Sequence, residues 1–227
     1  GQDPVRSINI FSSPERKSQL DKVKILSLLE EFGKYYQIQF MSYLIFTDGI
    51  TEESIHTQMG TYCIDVLQES NQVSFNRGRA GRRRGGRTPA QAGGGLDPIM
   101  LQNVESNLMK LLQYSQHYDS AALLGRIQGD STLFDACIVL YSRLGRHAEA
   151  LDILVQKKQD FQAADAYCLK HSQFAETNLF LDLLHLYMDT SVTNCSEIPE
   201  NAFHLMNTRG AELDPLEVLQ FLPDDIP

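Results

Sequence analysis

Residues 119–171, DSAALLGRIQGDSTLFDACIVLYSRLGRHAEALDILVQKKQDFQAADAYCLKH, divide into helix-like segments that start at Asp119, Leu133, His147 and Asp160. Two such segments make one helical hairpin, and the hairpin then recurs. Recurrence at a short fixed period is the mark of an α-solenoid, an all-α array of stacked helical hairpins. A solenoid presents surface rather than enclosing a pocket, which weighs against an enzyme from the outset.

The pattern on either side fits the same array. A helix is expected from Asp21, with Val23, Ile25, Leu26, Leu28 and Leu29 before a stop at Gly33. A second spans Tyr35 to Phe46 and ends at the turn signal Asp48-Gly49. A third opens at Thr51-Glu52-Glu53-Ser54, where carboxylates suit a helix N-terminus. Its apolar stripe is Ile55, Met59, Tyr62, Cys63, Val66 and Leu67. Residues 72–96, QVSFNRGRAGRRRGGRTPAQAGGGL, then change character, with too few large apolar side chains to offset the entropy of ordering them. They read as a disordered Gly/Arg-rich insertion.

Helical character resumes at Asp97-Pro98, an N-cap followed by proline at the first helical position. Met100, Leu101, Val104, Leu108 and Leu111 form its stripe. In the repeats, Ala136, Leu140 and Leu144 are expected to share a face, with Gly145 as the stop. Ala148, Leu151, Leu154 and Val155 follow, then Phe161, Ala164 and Cys168. Alanines at 136, 148, 150, 163, 164 and 166 are expected to let helices approach closely. Further helices are predicted at 177–188, 201–209 and 214–222. The layout is therefore a polar segment 1–18, helical repeats 19–71, the insertion 72–96, and helical repeats of the same solenoid over 97–227. Gly1-Gln2-Asp3-Pro4 read as vector residues, which would make the chain a piece of a longer protein.

The net charge is −9, with six arginines confined to 77–87, so 14 basic side chains face 29 acidic ones elsewhere. An acidic body of this kind repels nucleic acid and anionic lipid. The arginine–glycine tract raises an alternative, an RNA-binding adaptor that holds single strands by phosphate contact and guanidinium stacking. The tract is short, however, and has no aromatic residue beyond Phe75, so nucleic acid is not the expected partner. Cys63, Cys137, Cys168 and Cys195 are scattered, without a C-x-x-C, which fits a reducing compartment. No apolar run approaches the ~18–20 residues that span a bilayer.

Catalytic motifs are missing: no G-x-S-x-G, Walker loop, G-x-G-x-x-G or H-E-x-x-H occurs. His147-Ala148-Glu149 matches half of a zinc-deaminase motif but lacks the P-C-x-x-C half, and His147 sits where a helix begins. Cys168 and His171 have ligand spacing but no second pair to complete about four zinc ligands. They read as core and helix end. No catalytic residue, cofactor or metal is expected.

Leu140 to His147 (LYSRLGRH), Ala150 to Val155 (ALDILV), Gln159 to Ala164 (QDFQAA), Tyr167-Cys168, and Leu216 to Pro223 (LEVLQFLP) together resemble one family. They look like the C-terminal solenoid of the vacuolar-sorting tether subunits related to TGF-β receptor-associated protein. That family includes the thirty-nine-type subunit of HOPS and its counterpart in CORVET. The resemblance implies repeats of the clathrin-heavy-chain or tetratricopeptide-like kind. It also implies a non-catalytic scaffold segment of a multisubunit tether in endosomal or vacuolar trafficking and fusion. Such a segment is cytoplasmic, peripheral on endosomal or vacuolar/lysosomal membranes, and binds core subunits of its complex. Family members carry a β-propeller and a RING-like zinc module. This sequence shows neither, so Rab GTPase and membrane contacts are expected to lie in regions outside it. Leu216, Leu219, Phe221 and Leu222 are the expected partner-binding patch.

Overall fold

The computed structural model describes residues 22–80, 96–173, 175, 177–189 and 200–221, leaving aside the side chains of Val23, residues 73–80, Gln220 and Phe221. The described residues contain eleven α-helices and no strand. Helices pack mainly against near neighbours in the chain, as in an α-solenoid. The chain divides into two compact units, Gly1–Gln128 and Gly129–Pro227.

The first unit contains α1 (Lys22–Glu30), α2 (Lys34–Phe46), α3 (Glu53–Ala80), α4 (Pro98–Tyr114) and α5 (Ser120–Ile127). Helix α2 buries residues nearly all round: Gln37, Ile38, Phe40, Met41, Leu44 and Ile45. It packs against α1, α3 and α4, so no polar stripe is left for solvent. Ile25 and Leu29 of α1 meet Phe40 and Leu44 there. The α3 stripe buries Met59, Cys63, Val66 and Leu67 as expected and adds Ile64, whereas Ile55 and Tyr62 are only half-buried.

Helix α3 runs to Ala80, past residue 72 where the insertion was expected to begin. Extending a formed helix costs far less than nucleating one, and Gln72, Arg77, Arg79 and Ala80 are good helix formers. Residues 81–95, the rest of the expected insertion, lie outside the described residues. On its far side Asp97 caps α4 as predicted, accepting from Ile99 N at 3.5 Å with Pro98 at the first helical position. Helix α4 returns against α2 and α3.

Three contacts lock this unit. Lys34 Nζ lies 3.1 Å from Asp65 and 3.0 Å from Glu69, and Arg126 pairs with the same Asp65, tying α2 and α5 to α3. Burial lowers the Lys34 pKa, but its bonds to Glu69 and Asp65 more than offset this and leave it raised. The buried His56 ring meets Ile50 O at 2.7 Å and Ser115 Oγ at 2.6 Å. A carbonyl only accepts, so Nε2 carries the proton and Nδ1 accepts from the Ser115 hydroxyl. Third, α5 sits close on α3: a Cβ at Gly60 would come within 2.8 Å of Leu123 Cδ1.

The second unit contains α6 (Phe134–Arg143), α7 (His147–Asp152), α8 (Phe161–His171), α9 (Leu179–Asp189), α10 (Glu200–Arg209) and α11 (Pro215–Phe221). Gly145, at φ +71°, ends α6 in a Schellman motif, with Arg146 N donating to Tyr141 O and Gly145 N to Ser142 O. Helix α7 passes into a π turn, Ile153–Lys157, where Lys158 N reaches Ile153 O at 2.9 Å. Gln159 then takes a left-handed φ of 53°, and Asp160 caps α8 by accepting from Ala163 N at 3.0 Å. Helix α9, with Leu179, Phe180, Leu183, Leu184 and Tyr187 buried, packs against α7, α8, α10 and α11.

Several face assignments need correction. Leu144 is 38% exposed because it is the C-cap, where the chain leaves the helix, and Tyr141 and Cys137 fill the face instead. Ala148 and Ala166 are exposed and Ala163 half-buried, so only Ala136, Ala150 and Ala164 mark close approaches. Cys195 lies outside the described residues.

Replacing Gly60 with Val should force Leu123 from its place and destabilise the first unit by about 1–3 kcal/mol. Gly60→Ala, which needs only a small shift of a flexible side-chain end, should cost less. Thermal melts of the two variants against wild type check the order.

Candidate interaction surface

Of the four residues expected to bind a partner, the structure describes two completely. Leu216 and Leu219 stand on α11, 72% and 64% exposed. Three residues apart on a helix, they share one face. The Phe221 side chain and all of Leu222 lie outside the described residues.

The local sequence explains this presentation. Asp214 Oδ1 accepts from Leu216 N at 2.9 Å and starts α11 ahead of Pro215, whose fixed φ suits the first helical position. Leu213, 6% exposed, anchors the entry, Val218 is half-buried, and α11 packs on α9. One side of α11 is thus held, and the other carries two leucines into solvent. The charged groups beside them, Asp214 and Glu217, are acidic. On α10, Phe203 is 57% exposed, a residue that sequence reasoning missed. Exposure was its only distinguishing signal, because its helix, expected at 201–209, has no strong stripe.

A second group absent from the sequence reading lies between α6, α7 and α8. His147 Nδ1 is 2.8 Å from the Tyr167 hydroxyl, and the His171 ring is 4.5 Å from the Tyr167 ring and 5.6 Å from that of His147. Ser142 Oγ lies 3.3 Å from His171 Nε2. Burial pushes the Tyr167 hydroxyl up. Burial, then Lys170 and His147, hold the His171 pKa below its ordinary value. His147 opens α7 and His171 closes α8, so the two imidazoles read in sequence as helix ends are neighbours in space.

Asp165 of α8 lies beside the Tyr187 hydroxyl of α9, which donates to Phe161 O at 3.5 Å, with His204 and Arg209 of α10 nearby. Burial raises its carboxyl despite these partners. These groups stand between helices. Cys63, Cys137 and Cys168 are buried thiols outside any disulfide, all pushed up by burial, Cys137 to about 11 with Asp130 adding to it. Buried thiols held protonated act as small apolar side chains. Among the described residues no group of three or more His, Cys, Asp or Glu is placed to hold a metal ion. No helix among them is long and apolar enough to cross a membrane.

Two all-α units built by packing between chain neighbours, with leucines presented on a short terminal helix, make this a helical-repeat array. The chain is homologous to TGF-β receptor-associated protein 1 and to the Vam6/Vps39-like proteins, as its repeat anchors suggested. It is 29% identical over 214 residues to human transforming growth factor-beta receptor-associated protein 1, an alignment covering 92% of this chain and 22% of the relative. Vacuolar sorting protein 3 of Arabidopsis thaliana is 24% identical over 225 residues, with 99% and 22% covered. Human Vam6/Vps39-like protein is 26% identical over 239 residues, with 97% and 26% covered. The chain therefore spans about a fifth to a quarter of the length of these relatives. No family model matches it, and no solved structure matches it significantly.

Because the folded state holds the His171 pKa down, the unfolded chain takes up a proton first as pH falls. Stability of the second unit should be full above pH about 6.5 and decline below it. Urea melts at pH 7.5 and 5.5 should show a smaller loss for His171→Asn, which cannot titrate, than for wild type.

Proposed function

We propose that this chain is a non-catalytic scaffold segment of a multisubunit membrane-tethering complex, of CORVET or HOPS type, in endosomal and vacuolar sorting. It binds core subunits of that complex through its helical array and acts on the cytoplasmic side, peripheral to endosomal or vacuolar/lysosomal membranes. The observation that carries this reading is homology along 92–99% of the chain to TGF-β receptor-associated protein 1, Vacuolar sorting protein 3 and Vam6/Vps39-like protein. One of these names, Vacuolar sorting protein 3, refers to vacuolar sorting. Rab GTPase and membrane recognition are assigned to parts of the complex outside these residues.

The physics of the array favours a protein partner. Helices that satisfy their backbone groups internally and bury one face leave the other free to carry side chains chosen for contact. Leu216 and Leu219 are the described candidates, with Phe221 and Leu222 proposed to extend the patch. Burying each leucine against a partner helix would contribute about 1.5–3 kcal/mol, or roughly tenfold or more in affinity.

Affinity purification from cytosol with the tagged chain tests both levels. Recovery of tether subunits is expected, and failure to recover any contradicts the tether reading. Leu216→Asp with Leu219→Asp should reduce recovery by at least about tenfold without changing helicity by circular dichroism. Undiminished recovery places the contact elsewhere on the array.

A further inference from the structure

A cleft of about 540 Å³ lies between α1, α2 and the first turns of α3, within the size range that takes a small ligand or a few side chains. The tether reading does not use it. Leu26, Ile55 and Tyr62, all half-buried, supply its apolar lining. The exposed carboxylates of Glu30 and Glu52 also line it, and Lys22 is the one cationic side chain among its described lining residues. Gln58 Nε2 donates to the Tyr62 hydroxyl at 2.8 Å.

Gln37 gives the cleft its chemical direction. Its side chain is only 5% exposed, and its Nε2 donates to Leu26 O at 3.1 Å. Its carboxamide oxygen accepts no hydrogen bond from the described residues. An acceptor without a described partner, on a buried residue that lines the cleft, favours a ligand that brings N–H donors. Two carboxylates against one ammonium favour a cation. An apolar lining favours an aliphatic stem beside that cation. A guanidinium combines all three, with five donors in a planar fork, no acceptor and weaker hydration than an ammonium.

We propose that the α1–α2–α3 cleft recognises an arginine side chain presented by an extended segment of a partner protein. The arginine stem lies against Leu26 and Ile55, the guanidinium donates to Gln37 Oε1, and Glu30 and Glu52 supply the opposing charge. The carboxylates are exposed, so their contribution is modest and falls as salt rises. This recognition stands or fails independently of the leucine patch on α11 and of the tether reading.

The test titrates the full chain into fluorescein-labelled Ala-Leu-Arg-Ala and into the same peptide with citrulline, which keeps the shape of arginine without its charge. Fluorescence anisotropy at low salt should show saturable binding of the arginine peptide below about 1 mM. Citrulline, or the double variant Glu30→Gln with Glu52→Gln, should weaken it at least about fivefold. No binding, or equal binding of the two peptides, overturns the proposal, as does binding unaffected by a folded double variant. Should that variant melt early, amide shifts of the wild-type chain decide. Changes centred on Leu26, Gln37, Ile55 and Tyr62 support the site, and changes centred elsewhere contradict it.

Discussion

Burial of each helix against its chain neighbours is the interaction on which this structure depends. Most of the eleven helices are shorter than the ~12–15 residues at which an isolated helix becomes even marginally stable. Their stability comes from apolar faces that close on the helices before and after. Two helices show this closure. Helix α2 sits among α1, α3 and α4, and α9 among α7, α8, α10 and α11. These two bury residues nearly all round or along a wide face.

That mode of packing shapes what the chain can do. Interior volume is consumed by contact between neighbours, as at Gly60 against Leu123 and at the buried Ala136, Ala150 and Ala164. Polar groups inside, such as His56 with Ser115 or the Tyr187 hydroxyl with Phe161 O, serve to join helices. Chemistry available to a partner is therefore displayed on outer faces and in clefts between helices, where the exposed leucines of α11 and the cleft beside Gln37 are found.

Much of the helix layout was legible because it rests on local chemistry. Asp97, Asp119 and Asp160 cap helices as their positions imply, and Gly145 turns the chain at a left-handed φ. Faces were harder to read. Ala148 and Ala150 are equally small, and only the placement of neighbouring helices decides that Ala150 is buried. Leu144 fits an apolar stripe by spacing yet lies at the cap, where helical periodicity no longer sets its direction. The pairing of His147 with His171, and the orientation of Gln37 toward a cleft, depend on which helix packs on which. Of the expected partner-binding patch, the leucines were recognisable as apolar, but their exposure follows from α11 docking on α9 by its opposite side.

Hydrogen–deuterium exchange of the chain, free and bound to a co-purified tether subunit, addresses the central claim most directly. Contact through the outer face of a preformed array predicts added protection at residues 213–221, with little change in the buried helices α2 and α9. Broad protection throughout α2 and α9 would mean that the array folds only on binding. Absence of protection at 213–221 in a stable complex would contradict contact through α11.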